Sequence, residues 1–195
     1  MRRALHLAVL AAGCATAAEK TLSERVDSGL VRYFPPEGRR WTYEAENEVI
    51  IALDRLDAAR DHGAELEGEI ARIEELRDKS AQGREVYTAR LAWLERELEL
   101  AESSISAAGL GVHCARASLE LTKARLAVRF DLPVELRFVS RFEKQYDACA
   151  QKLEALKSEV EARAQKALEA KMSWRDARSE YVKRTGDHDH GLWIE

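Results

Sequence analysis

Only three prolines and ten glycines interrupt 195 residues, and aromatic side chains make up 7% of them. No block of five or six like charges occurs, so the chain lacks the electrostatic footprint of a nucleic-acid binder. Its one N-terminal apolar run falls well short of the roughly 20 residues that a membrane-spanning helix takes. There is no glycine-rich phosphate loop, no His-Glu-x-x-His, no Cys-x-x-Cys and no Gly-x-Ser-x-Gly. Carboxylates are plentiful, but pairs such as Glu65/Glu69 and Glu74/Glu75 stand among Arg and Lys on solvated helix faces. A general acid–base pair would need one carboxylate in an apolar pocket. His113 adjoins Cys114, yet helical neighbours point about 100° apart, so the two do not form a thiol–imidazole pair. These absences argue against an enzyme, and no cofactor is expected.

What the chain has in quantity is Ala, Glu, Leu, Arg and Lys. It is 34% charged and 46% hydrophobic with a net charge of −4, the composition of long helices and coiled coils. From Tyr87 to Leu126 apolar residues recur at alternating spacings of four and three: Tyr87, Leu91, Leu94, Leu98 and onward through Val112 to Leu126. A second seam runs through Val139, Phe142, Tyr146, Cys149, Leu153, Leu156, Val160, Ala164, Ala167, Trp174 and Tyr181. Such spacing belongs to helices that bury one face against a neighbour. Between the seams lies Phe130-Asp131-Leu132-Pro133, where proline removes a backbone donor and pushes its predecessor out of the helical region. The spacing predicts two helices folded back about Pro133.

An earlier helix is predicted from about Trp41 to Lys79, with its seam at Val49, Ala52, Leu56, Ala59, Gly63, Leu66, Ile70 and Ile73. Val49-Ile50-Ile51-Ala52-Leu53 is apolar over more than one face, which predicts burial from several sides. Ser80-Ala81-Gln82-Gly83 is a weak turn signal, and the seam could run on through it. Length decides between the two. The arm after Pro133 is roughly 50 residues, and pairing it back from the turn reaches residue 80. A continuous helix of about 90 residues would extend about 135 Å and leave its stripe exposed. The expected fold is therefore all-α: long antiparallel helices forming a three-helix bundle, or coiled-coil hairpin, with its tip near Pro133.

The N-terminus reads as a targeting segment. Met1-Arg2-Arg3 is followed by an apolar run from Ala4 to Ala12 and then by small residues, the layout of a secretory signal peptide. Ala15-Thr16-Ala17 fits ordinary secretory cleavage. Leu10-Ala11-Ala12-Gly13-Cys14 instead resembles the lipobox of bacterial lipoproteins, with the small-small-Cys core in place and leucine one position early. That resemblance covers residues 1–14 alone. It implies lipidation at Cys14 and, because Ala15 rather than aspartate follows, residence at the outer membrane. Several acyl chains at about 0.8 kcal/mol per buried methylene would make the anchor effectively permanent.

Two cysteines then remain, an even pair suited to an oxidising compartment. Cys114 lies 19 residues before Pro133 and Cys149 lies 16 after it, so their midpoint falls within the predicted turn. In an antiparallel hairpin they come to one level, about 26 Å from the tip. Cys149 is on its seam, whereas Cys114 is one residue off. A disulfide needs Cα atoms about 4.4–6.8 Å apart, an approach that Gly109 and Gly111 could permit. Two buried free cysteines packing as small hydrophobes is the alternative.

The domain reading is a signal peptide at 1–13, a lipid-anchored tether at 14–40, the helical domain at 41–185 and a flexible tail at 186–195. Thr21-Leu22-Ser23-Glu24 fits a capping box that opens a short amphipathic helix over 22–33, with Leu22, Val26, Leu30 and Phe34 on one face. That helix could dock on the bundle or lie on the membrane. Pro35-Pro36-Glu37-Gly38 reads as a stiff joint. Gly186 is the expected cap of the last helix. In the tail, His188 and His190 alternate with aspartates, a weak metal pattern without a third ligand nearby. Leu192-Trp193-Ile194 could dock on the bundle, or serve as a partner-binding hook through Trp193 and Ile194.

Together these readings describe a non-enzymatic cell-envelope lipoprotein, a helical scaffold or adaptor in an outer-membrane or periplasmic assembly such as export or motility machinery. Its expected partners are the membrane through the lipid anchor, other envelope proteins and further copies in a homo-oligomer, with no nucleic acid. The rival reading is a soluble periplasmic or secreted holdase chaperone with helical arms.

Overall fold

A computed structural model describes residues 25–80 and 82–187. Cys14, His188, His190, Trp193 and Ile194 lie outside the described residues, as does the capping box at 21–24. The described chain is all-α: a 3-10 helix (Ser28–Tyr33) followed by α1 (Pro36–Lys79), α2 (Arg84–Arg129) and α3 (Leu136–Thr185). The three long helices pack antiparallel as a bundle.

Helix α1 begins at Pro36, about five residues earlier than the seam alone predicts. The Pro35-Pro36 joint is itself the helix start. Proline at the first helical position gives up an amide that has no intrahelical acceptor there, and its fixed φ already suits the helix. The amide of Arg39 donates to the Pro35 carbonyl at 3.0 Å, which closes the first turn.

The weak turn at 80–83 is real. Gly83 adopts φ 70, and its carbonyl accepts the amides of Val86 and Tyr87 at 3.0 and 3.2 Å, capping the new helix. At the other turn Asp131 takes the left-handed φ of 52. The Leu132 amide donates to Ala127 O at 2.8 Å and the Asp131 amide to Val128 O at 3.2 Å. This pair of bonds is the Schellman arrangement, with aspartate where glycine is usual. Gly186, at φ 66, donates to Val182 O at 2.8 Å and closes α3 as expected.

The bundle divides into two compact units. The first holds the described chain up to Ala52 with Leu110–Gln151, and the second holds Leu53–Gly109 with the chain from Lys152. In the second unit Leu66, Ile73, Val86, Leu91, Leu94, Trp174 and Tyr181 form the core, and Ile73 is 0% exposed. Most of these are the predicted seam residues. Ala164, counted on the seam of α3, is exposed.

In the first unit the segment from Arg25 to Pro35 acts as a strap over the helices. Of the amphipathic helix expected over 22–33, the described part is non-helical at 25–27 and then a six-residue 3-10 helix, begun by the Asp27 carboxylate accepting the Gly29 amide at 2.8 Å. The strap docks on the bundle. Val26 and Leu30 pack with Leu121, Ala124 and Phe142, while Phe34 packs with Leu126, Ala127 and Trp41. A third apolar partner buries more than one stripe of α2. The buried positions run Cys114, Ala117, Leu121 and Ala124, while seam residues Ala115, Leu119 and Thr122 are only half-buried. Two further expectations fail in this unit. Ile50 and Ile51 are 54% and 40% exposed. Tyr146 is likewise exposed despite its seam position.

Candidate functional site

Rotation of the buried face of α2 settles the cysteines. Cys114 and Cys149 are both buried and joined in a disulfide, with Cα atoms 5.5 Å apart. Cys114 lies one residue off the seam because the buried stripe itself has shifted to 114, 117 and 121. Neither Gly109 nor Gly111 is what permits the approach, since a Cβ at either position would meet nothing within 4 Å. His113 is half-buried beside a sulfur already committed to a disulfide, so no free thiol is available to it.

The most concentrated polar chemistry of the first unit lies under the strap. Glu120 and Lys123, three residues apart on α2, are 5% and 7% exposed. Lys123 Nζ donates to Glu120 Oε1 at 3.1 Å, and the Val26 amide donates to Glu120 Oε2 at 2.7 Å. A buried carboxylate thus receives one charged and one backbone donor, which is how a buried charge becomes tolerable. Sequence reasoning missed this pair. Its signal was present in two opposite charges at i,i+3 immediately beside the half-buried Leu119 and Thr122, but a single-seam reading places both charges in solvent.

An open cavity of about 470 Å³ adjoins the pair. Val26, Val49 and Leu119 form its apolar wall. Its polar wall comprises Arg25, Asp27 and Ser28 of the strap with Arg116, Glu120 and Lys123 of α2. The lining therefore carries three cationic and two anionic side chains.

The second unit has a different cluster. Trp93 and Trp174 stack with centroids 4.9 Å apart and ring planes 16° from parallel. Arg90 lies over the Trp174 ring at 5.4 Å, and Lys171 lies over Trp93 at 4.7 Å. Arg90 is 2% exposed and pairs with Glu69. Cations on both outer faces of an aromatic stack gain attraction from the ring quadrupoles. This cluster belongs to the core around Leu91, Leu94 and Tyr181, and it binds α1, α2 and α3 together.

Among the described residues no group of three or more His, Cys, Asp or Glu side chains could hold a metal ion. No described helix is long and apolar enough to cross a membrane. Comparison of the chain with protein-family models, with curated proteins and with solved structures finds no match.

Proposed function

We propose that this chain is a non-enzymatic lipoprotein of the cell envelope, whose helical bundle serves as a scaffold or adaptor for other envelope proteins. The observation that carries the reading is the buried Cys114–Cys149 disulfide. Disulfides persist in oxidising compartments and are rare where thiols are kept reduced. An exported chain is also what the basic, apolar and lipobox-like opening of the sequence describes.

The strap adds a mechanical argument. From a lipidated Cys14 the chain to Val26 reaches roughly 40 Å at full extension. Val26 is itself fixed on α2 through Glu120, and Phe34 is buried against Leu126 and Ala127. On this reading the strap ties the first unit to the neighbourhood of the membrane. Outward-facing pairs such as Arg40–Glu44, Arg96–Glu99 and Lys183–Glu180 leave the helices a mixed-charge surface. Such pairs add little stability, but they keep a surface soluble and selective toward partners.

The test is the intact mass of the full chain purified from the membranes of a bacterial host. The expected species begins at Cys14, carries acyl groups and gains the mass of two hydrogens on reduction. A processed chain without lipid, or an unprocessed chain in the cytosol, would overturn the proposal.

A further inference from the structure

We infer that the cavity beneath the strap is a binding site for a phosphate-type oxyanion carried on a small organic group, gripped by Arg25 and Arg116 at its mouth with Lys123 at its wall. This inference stands apart from the lipid anchor, because it rests only on how charges are committed around the cavity.

Both carboxylates in the lining are already engaged. Glu120 accepts from Val26 and from Lys123, and Asp27 caps the 3-10 helix through the Gly29 amide. The cations are not matched in the same way. Lys123 gives one of its three ammonium donors to Glu120. Arg25 and Arg116 make no ion pair or hydrogen bond among the described residues, although elsewhere on these helices arginines such as Arg40, Arg96 and Arg163 pair with nearby glutamates. Three positive and two negative side chains leave the lining one positive charge in excess. Arg25 of the strap and Arg116 of α2, neither paired among the described residues, both line the same cavity.

The chemistry of the ligand follows from the donors and the space. A guanidinium presents a planar fork that matches the oxygens of a phosphate, and two of them can grip one tetrahedral group from two sides. The Ser28 hydroxyl adds a neutral donor at the same wall. A volume of about 470 Å³ exceeds what a bare ion fills and suits a small organic phosphate. Val26, Val49 and Leu119 offer that organic part an apolar wall. The same chemistry is found in a free phosphate monoester and in a phospholipid headgroup.

The experiment is calorimetric titration of the full chain with inorganic phosphate and with glycerol 3-phosphate, alongside capture by vesicles with and without phosphatidylglycerol. Arg25→Gln and Arg116→Gln are the test variants. Both side chains are exposed and have no partner among the described residues, so neither change disturbs the described packing. Arg55→Gln, an exposed arginine in the second unit, is the control. Saturable one-site binding is expected, weakened about tenfold or more by either test variant, since a charge-assisted hydrogen bond contributes roughly 1.5–3 kcal/mol. It should be unchanged in the control. Binding of glycerol 3-phosphate without a phosphatidylglycerol effect supports the site and identifies a free ligand. A phosphatidylglycerol-dependent capture lost in the test variants supports it and identifies a headgroup. The inference is overturned by the absence of saturable binding to any probe, by affinity indifferent to both test variants, or by succinate binding as tightly as the phosphates.

Discussion

The backbone amide of Val26 donates to Glu120 Oε2 at 2.7 Å across 94 positions of sequence, and the same carboxylate holds Lys123. One buried side chain therefore both fixes the strap and carries the charge paired with Lys123. Removing it leaves an ammonium buried without its counter-charge and a backbone donor without an acceptor. Glu120→Leu should cost about 3–5 kcal/mol of unfolding free energy, the usual penalty for breaking a buried ion pair from one side. Replacing both Glu120 and Lys123 with leucine should recover most of that loss, though not the Val26 bond. Urea titration of the two variants checks the difference. Equal loss in both would mean that the Val26 bond, rather than the ion pair, carries the stability.

The disulfide closes a loop of 35 residues across the Pro133 turn. Loop-closure entropy for that length amounts to roughly 4 kcal/mol at 25 °C in the chain-entropy account. Cys114→Ala with Cys149→Ala should lower the denaturation midpoint accordingly, and reductant should then cease to matter. Reductant acting on the parent chain at moderate urea should reproduce the loss.

Much of this fold was legible in the sequence, because a helix that buries one stripe announces it by spacing. The α1 seam follows from periodicity, the Gly83 turn from length along the chain, the next turn from Pro133, and the shared level of the two cysteines from their distances to it, although the seam itself left Cys114 one residue off. What stayed hidden depends on a third neighbour. The strap covers an extra side of α2, which turns the buried stripe toward Cys114, Ala117 and Leu121 and draws Glu120 and Lys123 out of solvent. Periodicity within one helix cannot register a segment that packs from 90 residues away. Ile50 and Ile51 failed for the converse reason: a run apolar on several faces predicts neighbours on several sides, and here both side chains remain exposed. The cavity was invisible because Arg25 and Arg116 are indistinguishable in sequence from any solvated arginine.

Two glycines in α1 should respond to alanine with opposite signs. A Cβ on Gly38 would sit 2.8 Å from Phe130 Cε2 and 3.2 Å from Phe34 Cβ, where the strap crosses the helix. Alanine gains up to about 1 kcal/mol in helix propensity, whereas overpacking costs about 1–3. Gly38→Ala should therefore destabilise by about 1–2 kcal/mol. A Cβ on Gly68 would meet nothing within 4 Å, so Gly68→Ala should keep the propensity gain and stabilise by about 1 kcal/mol. Thermal melts of the two variants test this, and a stabilised Gly38→Ala would mean that Phe130 and Phe34 yield to the added methyl at no net cost.

Stability should fall at both ends of the pH scale, for reasons located at one end of the second unit. Burial pushes the Tyr181 phenol up, reinforced by the neighbouring Asp187 charge and by the hydrogen bond to Asp187 Oδ2. The Lys183 ammonium is raised by its hydrogen bond to Glu180. A raised folded value means that the native state holds its proton more tightly. Both contributions are therefore complete below the unfolded values, about pH 10 for each, and are lost as pH rises through the folded ones. On the acid side Glu85 is lowered first by its own backbone amide and further by Arg184, and Glu75 and Glu180 are lowered by Lys79 and Lys183. These contributions are complete above the unfolded carboxylate value of about 4.3 and are lost as pH falls through the depressed ones. The carboxylates are exposed and screened, so the acid limb should be shallow and should flatten further in high salt. The Tyr181 part of the alkaline limb should resist salt, since burial is its leading cause, whereas the part from the exposed Lys183–Glu180 pair should be screened. Melting temperature followed against pH in the parent chain and in Tyr181→Phe tests the assignment. Phenylalanine should remove part of the alkaline fall while leaving the acid limb in place, and an alkaline limb identical in the two proteins would shift the responsibility to Lys183.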